Sequence, residues 1–181
     1  MGIESDGAAG SKGPRRHGER APLYTAEQRR RRDASPWTLV QGVLAPLQFL
    51  VFLVSLGLVL RFLATGEGQA AATVSVVLKT AVLYAIMVTG SLWEKDVFGV
   101  YLFAPAFYWE DVFSMAVLAL HAAYVVALVA GWFDARGQML LALAAYAAYV
   151  INAAQFVWKL RVARLDAARA DAAGAAGGVA A

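Results

Sequence analysis

The sequence contains no cysteine and only two histidines, His17 and His121, in 181 residues. A disulfide framework, a thiolate metal site and a multi-histidine metal site are therefore excluded. No GxGxxG, Walker or HExxH pattern is present either, so the common signatures of nucleotide and zinc-protease sites are missing. Charged residues make up 16% of the chain against 60% hydrophobic residues, and the mean hydropathy is +0.57. This balance is too apolar for an ordinary soluble domain and indicates a membrane protein.

The few basic residues are concentrated at the two ends of the chain. Eight Lys or Arg residues precede Trp37 and four follow Trp158. Beside apolar segments, such flanks orient a protein against anionic lipid, so we expect no nucleic-acid partner. By the same rule, both termini are expected on the cytoplasmic side of the membrane.

Long apolar segments account for most of the chain, at 37–63, 71–93, 109–132 and 138–158. Each reaches the roughly 20 residues that a helix needs to cross a bilayer. Uninterrupted apolar runs favour helices over a barrel, since a helix satisfies its own backbone in lipid. The predicted fold class is all-α, an integral membrane bundle of four transmembrane helices with both termini cytoplasmic.

The domain organisation follows from these segments. Residues 1–22, rich in Gly and charge, are expected to be a disordered tail. Residues 23–35 form an interfacial basic segment, in which Thr25 and Gln28 are spaced as a capping box at the start of a short helix. The transmembrane domain covers 36–165, and a disordered Ala/Gly-rich tail covers 166–181.

Polar residues lie within or at the edges of the apolar segments, where ionisable groups are costly and are functional suspects. Glu94, Glu110 and Asp111 fall at one predicted membrane interface, while His121 and Lys79 fall deeper. The predicted helices also carry the amides Gln48, Asn152 and Gln155. If these faces converge, a polar shaft runs from the carboxylates, past the amides, to His121 and Lys79.

Several of these residues also have ordinary structural explanations. Glu110 and Asp111 stand at a helix N-terminus, where acids are favourable. Glu94 and Lys95 could belong to a solvated loop. The amides, and His121 as well, could simply hydrogen-bond between helices.

Three stretches resemble the vinyl bacteriochlorophyllide hydratase family of phototrophic bacteria. They are PWTLVQGVLAPLQFLVFLVSLGLVLRFLATGEG at 36–68, WEKDVFGVYLFAPAFYWEDVFSMAVLALH at 93–121 and INAAQFVWKLRVARL at 151–165. The resemblance covers about 22–165 and leaves only the two tails outside. It implies a lyase of bacteriochlorophyll a synthesis that hydrates the 3-vinyl group of a chlorophyllide-type macrocycle to 3-(1-hydroxyethyl). It also implies a multi-pass protein of the bacterial inner (intracytoplasmic photosynthetic) membrane that needs no cofactor, because the substrate carries the Mg.

Hydration of a vinyl group needs an acid and a base, and two carboxyls in different environments can divide these roles. We expect Glu110 to be the acid and Glu94 or Asp111 the base. His121 is expected to approach the substrate's Mg or to carry protons, and Lys79 or Lys95 to pair with the propionate. The candidate substrate-binding residues are amides, lysines and aromatic side chains that could stack on the ring: Gln48, Lys79, Trp93, Lys95, Tyr101, Phe103, Phe107, Trp109, Asn152 and Gln155.

A non-enzymatic bacteriochlorophyll-binding or photosystem assembly membrane protein is the alternative function, for which the carboxylates would be dispensable. A small transporter ranks third, because the two halves show no internal repeat. Beyond its substrate and the bilayer, the protein could contact pathway enzymes or a second copy of itself. Small residues between 144 and 154 would permit such close helix contacts.

Overall fold

The protein is a bundle of helices. The computed structural model describes the backbone of residues 23–178 and the side chains of residues 23–165 and of Ala168. The elements are α1 (Ala26–Ala34), α2 (Pro36–Thr65), α3 (Gln69–Phe98), α4 (Tyr108–Ala130) and α5 (Ala135–Gly178). The last four are long and apolar enough to cross a membrane. The prediction of an all-α protein with four such helices is confirmed. The disordered tail expected at 1–22 lies outside the described residues.

The start of α1 follows its local sequence. The Thr25 hydroxyl accepts from the Gln28 amide at 3.2 Å, and the Gln28 side chain accepts from the Thr25 amide at 2.8 Å. This is the predicted capping box, which satisfies two amides that the first turn leaves unpaired. Ser35 separates α1 from α2, and its hydroxyl donates to Asp96 at 2.7 Å. The short basic helix is thereby tied to the end of α3.

Three helix ends differ from the apolar segments of the sequence. α3 continues one turn past Trp93 to Phe98, so Glu94 lies inside the helix instead of ending it. α5 begins at Ala135, because the Asp134 side chain accepts from the Gly137 amide at 2.7 Å and caps the first turn. α5 also remains helical to Gly178, past the boundary expected at 165. The backbone of 166–178 is therefore helix where a disordered tail was expected.

The four long helices form two antiparallel hairpins. α2 packs along α3 through a tight turn in which Gly66 and Gly68 have positive φ, and α4 packs along α5. The hairpins meet where α2 contacts α5 and α3 contacts α4. Only 22% to 28% of the residues in each spanning window are buried. Because the outward residues are also apolar, the surface of the bundle suits lipid.

We call the end of the bundle that carries α1, the end of α3 and the start of α4 the basic end. An aromatic cluster closes it, in which Tyr24, Val97 and Phe107 are buried and pack against Trp93 and Phe156. The larger apolar core lies farther along the bundle and is built from all four long helices. The candidate site lies between these two clusters.

Candidate active site

Two carboxylic acids meet at the basic end. Glu94, one turn before the end of α3, and Asp111, in the first turn of α4, are 5% and 3% exposed. The loop 99–107 joins these two helices, so the end of one lies beside the start of the other. The amides of two consecutive loop residues, Phe103 and Ala104, each donate to one of these carboxyls, which places the two groups side by side. A buried carboxyl pair is a common way to hold one acidic proton between two oxygens.

The backbone of the loop 99–107 closes over this pair. The Phe103 amide donates to Asp111 Oδ2 at 2.7 Å, and the next amide, of Ala104, donates to Glu94 Oε2 at 3.2 Å. Phe103 has a φ of +61°, a left-handed conformation that costs energy for a residue with a side chain. Consecutive amides that point to one side form a concave site for anions. The loop conformation and the two carboxyls therefore stabilise one another.

The third acid has a different partner. Glu110 Oε2 lies 2.5 Å from the Lys159 ammonium, with the two side chains 11% and 25% exposed. Lys159 Nζ also lies 4.9 Å from the centre of the Phe107 ring. This ion pair connects the start of α4 to α5. The sequence predicted that Glu110 lies with Glu94 and Asp111, but its partner is a lysine and not a second carboxyl.

Lys79 and His121 form a second buried polar group, farther from the basic end. Lys79 Nζ lies 2.9 Å from His121 Nε2, and both side chains are fully buried. His121 Nδ1 donates to the Val117 carbonyl at 2.8 Å, which leaves Nε2 as the acceptor for the lysine. Lys79 also lies over the Tyr149 ring at 3.8 Å. Among the described side chains, no carboxylate forms a salt bridge with Lys79.

This arrangement limits what His121 can do. Both ring nitrogens have partners, so neither is free to coordinate the substrate's Mg. The ring lies ten residues along α4 from Asp111, or about 15 Å at the rise of an α-helix. His121 and Lys79 do meet, as the sequence predicted, but they form a group separate from the carboxyl pair.

Amide side chains occupy the space between these two groups. Asn152 Nδ2 donates to the Ser114 hydroxyl at 2.9 Å, across the α4–α5 interface. Gln48 is buried, and Gln155 is partly buried one turn nearer the basic end than Asn152. Oxygen or nitrogen atoms of all three amides have no hydrogen-bond partner among the described side chains, those of residues 23–165 and 168, or the described backbone. Because Ser114 lies between Asp111 and His121 on α4, Asn152 lies at a depth between the carboxyl pair and His121.

The aromatic candidates divide into two groups. Phe107 is buried in the cluster at the basic end, where Trp93 donates its indole N–H to Thr38 at 3.0 Å. Tyr101 and Trp109 are instead exposed on the outside of the bundle. Phe103 and Tyr108 are exposed beside them, with ring centroids 5.8 Å apart. We call these four side chains, Tyr101, Phe103, Tyr108 and Trp109, the aromatic face.

Lys95 lies at the edge of the aromatic face. Its ammonium donates to the Gly99 carbonyl at 3.0 Å and lies 5.1 Å from the centre of the Tyr101 ring. Unlike Lys79, it is exposed to the surroundings. It is the lysine candidate nearest to Glu94 along α3.

Open space lies at the other end of the bundle. A cavity of about 60 Å³ there is lined by Gln69, Thr73, Asp134 and Gln138 among others. It is far too small for a tetrapyrrole. Within the described part of the chain, no group of three or more His, Asp or Glu side chains is arranged to hold a metal ion.

Comparison with known proteins assigns the chain to a family. The model of 2-vinyl bacteriochlorophyllide hydratase matches residues 24–162. The chain belongs to this hydratase family.

Two curated members of the family are close relatives. The chain is 68% identical to the 2-vinyl bacteriochlorophyllide hydratase of Rhodobacter capsulatus over 153 residues, which cover 84% of this chain and 89% of the relative. It is 71% identical to the protein of the same description in Cereibacter sphaeroides over 145 residues, which cover 80% and 89%. No solved structure matches the chain. The resemblance noted in the sequence is therefore confirmed, and the matched range includes every site residue described above.

Two parts of the site do not follow from the sequence pattern. In the sequence, Lys159 belongs to the basic residues that follow the fourth apolar segment. It lies at about the same depth as Glu110, which opens the third segment, and this match in depth is the signal for their pairing. The amides of Phe103 and Ala104 have no sequence signal, because every residue except proline carries such a donor.

Proposed function

We propose that this protein is the hydratase that adds water across the vinyl group of a bacteriochlorophyllide-type macrocycle and produces a 1-hydroxyethyl group. Membership of the hydratase family and the two close relatives support the reaction. The structural observation that supports a catalyst is the buried carboxyl pair of Glu94 and Asp111. The other buried polar contacts in the bundle hold helices together. Two neighbouring buried acids repel each other when both are ionised, so helix packing alone does not explain them.

The pair can hold one proton ready for the vinyl group. Two ionised carboxylates that face each other away from water repel strongly, so a single shared proton stabilises them. Asp111 accepts the shorter loop hydrogen bond, 2.7 Å against 3.2 Å for Glu94. Because hydrogen bonds to a charged acceptor are shorter and stronger, Asp111 is the ionised member and Glu94 carries the proton.

The reaction then proceeds by proton addition and capture of the cation. The Glu94 O–H bond breaks as a C–H bond forms at the terminal vinyl carbon, and the macrocycle stabilises the positive charge on the ring-side carbon. A water oxygen bonds to that carbon, and Asp111 takes the proton that the water loses. The proton returns from Asp111 to Glu94 through their mutual hydrogen bond. One water is consumed and no electrons are transferred, so the reaction needs no redox cofactor.

This assignment revises the roles suggested by the sequence. Glu110 was expected to be the acid, but an ion-paired carboxylate has no proton to donate, and Lys159 lies 2.5 Å from it. We give Glu110 a positioning role, in which its ion pair fixes the first turn of α4 and hence Asp111. Glu94, one of the two residues expected to be the base, becomes the acid.

The substrate approaches from the lipid at the basic end. The aromatic face offers flat apolar area beside the carboxyl pair, which suits a macrocycle. Lys95 lies at the edge of this face and is our candidate partner of the propionate, whereas Lys79 is fifteen residues from Glu94, or about 22 Å along α3. The protein is a multi-pass protein of the inner photosynthetic membrane, and its basic end faces the cytoplasm.

A direct test is incubation of the purified protein with 3-vinyl bacteriochlorophyllide a. The proposal predicts a shift of the long-wavelength absorption band and a product heavier than the substrate by one water. A pigment-binding or assembly protein would bind the macrocycle and leave its mass unchanged. That second result would contradict the proposed function.

A further inference from the structure

We infer that the buried amides of Gln48, Asn152 and Gln155 bind a file of water molecules that supplies water to the carboxyl pair from inside the bundle. The inference rests on the proposed function, because hydration consumes one water at a carboxyl pair that is buried inside the protein. It assigns a ligand to side chains that the mechanism above does not use. We call these three residues the amide file.

Gln48 gives the strongest reason. Its side chain is 2% exposed, and neither its amide nitrogen nor its amide oxygen has a hydrogen-bond partner in the part of the protein that the structure describes. A glutamine amide offers two donors and two acceptor sites. Buried polar groups without protein partners are usually satisfied by bound water, above all where lipid surrounds the protein.

The other two amides extend the same feature toward the basic end. Asn152 donates to Ser114, yet its side-chain oxygen has no partner among the described residues. The side-chain oxygen of Gln155 also lacks one. Residues three apart lie on one face of a helix, so these two oxygens follow each other along α5. Each is an acceptor for a water hydrogen.

The helix register places Gln48 opposite this face. The Phe52 and Tyr149 rings are in contact, with centroids 5.0 Å apart. Because α2 and α5 run in opposite directions, one turn from each ring toward the basic end leads to Gln48 on α2 and to Asn152 on α5. The amides of the two helices therefore lie at a similar depth.

The file ends at the catalytic acids. Ser114, the partner of Asn152, lies one helical turn from Glu110 on α4 and less than one turn from Asp111. On its outer side, the carboxyl pair is closed by the loop 99–107 through the Phe103 and Ala104 amides, and a macrocycle on the aromatic face would cover it further. Water that attacks the cation therefore has its clearest approach from the amide side.

At its other end, the amide file approaches the depth of Lys79. The contact of Ser55 with Ser75 places Gln48 within about one helical turn of this lysine along the bundle. The lysine nitrogen carries more than one N–H donor, and His121 accepts only one of them. A water molecule between Lys79 and Gln48 would be bound by a donor on one side and an amide on the other. The buried lysine thereby gains a second polar neighbour beside His121.

The absence of cysteine allows this inference to be tested by single substitutions. Ser114→Cys places a thiol of similar size on the file, and Val117→Cys places one on the same helix in the apolar core. The purified proteins in nanodiscs are treated with Ag⁺, a thiol reagent about as small as water, and protected thiols are counted afterwards with a maleimide. We expect the thiol at position 114 to react at least about tenfold faster than that at 117. Equal protection of both thiols would overturn the water file.

A second pair of variants links the file to the reaction. Gln48→Met removes the amide with little change in size, and Gln41→Met does the same on the same helix, where the amide already bonds to Thr89 at 2.7 Å. We expect Q48M to lower kcat at least about tenfold with KM unchanged, and Q41M to stay within about twofold of the wild type. A Q48M protein that is folded and fully active would overturn the role in supply. Absence of hydration by the wild type would instead contradict the proposed function, and the Ag⁺ result would still decide whether the file holds water.

Discussion

Lys79 and His121 meet in the centre of the bundle through a 2.9 Å hydrogen bond that joins α3 to α4. The imidazole is oriented by the Val117 carbonyl, so its free lone pair points at the lysine. A lysine amine surrounded by Tyr146, Tyr149 and apolar side chains has no other strong protein acceptor among the described residues. The contact therefore joins the two hairpins in the centre of the bundle.

The first prediction concerns this pair and stability. His121→Leu should lower the free energy of unfolding by about 3 kcal/mol, because it leaves a buried amine without its acceptor. Lys79→Met should cost about 1–3 kcal/mol, since it leaves only a neutral nitrogen unpaired. The double variant should be less destabilised than the sum of the two single variants. Thermal unfolding in detergent measures the stability of the three variants. If the losses of stability in the two single variants simply add in the double variant, the two side chains do not stabilise each other.

The second prediction separates the roles of the acids. Glu110→Gln and Lys159→Met should each destabilise the protein by about 1–3 kcal/mol, and combining them should add little, because one ion pair is lost in every case. Glu110→Gln should keep at least about a tenth of wild-type hydration, since the residue positions α4 and transfers no proton. Loss of hydration by about 100-fold or more in this folded variant would restore Glu110 as the acid.

The third prediction tests the aromatic face with a matched pair. Trp109 and Trp132 are both 67% exposed and lie at opposite ends of α4. Trp109→Ala should raise KM about tenfold with little change in kcat, because it removes area that stacks on the macrocycle. Trp132→Ala should leave both constants near their wild-type values. Equal effects of the two substitutions would show that these tryptophans act only as membrane anchors.

The fourth prediction concerns orientation. Glu67 lies in the turn between α2 and α3, and Asp96 lies at the basic end of α3. In intact cells, a membrane-impermeant maleimide should label the Glu67→Cys variant. The Asp96→Cys variant should be labelled only after the membrane is permeabilised. The opposite pattern would place the basic end outside and contradict the charge rule on which the orientation depends.

The sequence predicted the helices well because apolar runs of this length have few other structures available to them in lipid. The depth of each residue along the bundle could be predicted equally well, because the constant rise per residue of a helix places Glu94 and Asp111 at the same level. The rotation of each helix was harder to predict. Nearly all faces are apolar, so hydrophobic periodicity does not distinguish the core from lipid, and only polar residues such as Gln48 indicate the inner face.

Partners depend on rotation and on loop conformation, and these are set by tertiary packing. Glu110 and Asp111 are adjacent in sequence, yet Glu110 pairs with Lys159 on α5, whereas Asp111 lies with Glu94 under the loop 99–107. A helix turns by about 100° per residue, which is enough to give neighbours different partners. The loop amides that hold the carboxyl pair depend on the left-handed conformation of Phe103, which no residue preference predicts.

The most direct test of the account is the hydration rate of Glu94→Gln, compared with Asp111→Asn and with Glu67→Gln as an exposed control on the other side of the bundle. Each purified variant is mixed with the vinyl substrate, binding is followed by the absorption of the macrocycle, and product is counted by mass. The account predicts that the first two bind the substrate but hydrate it at least about 100-fold more slowly, while the control matches the wild type. A folded Glu94→Gln protein that hydrates at the wild-type rate would contradict it.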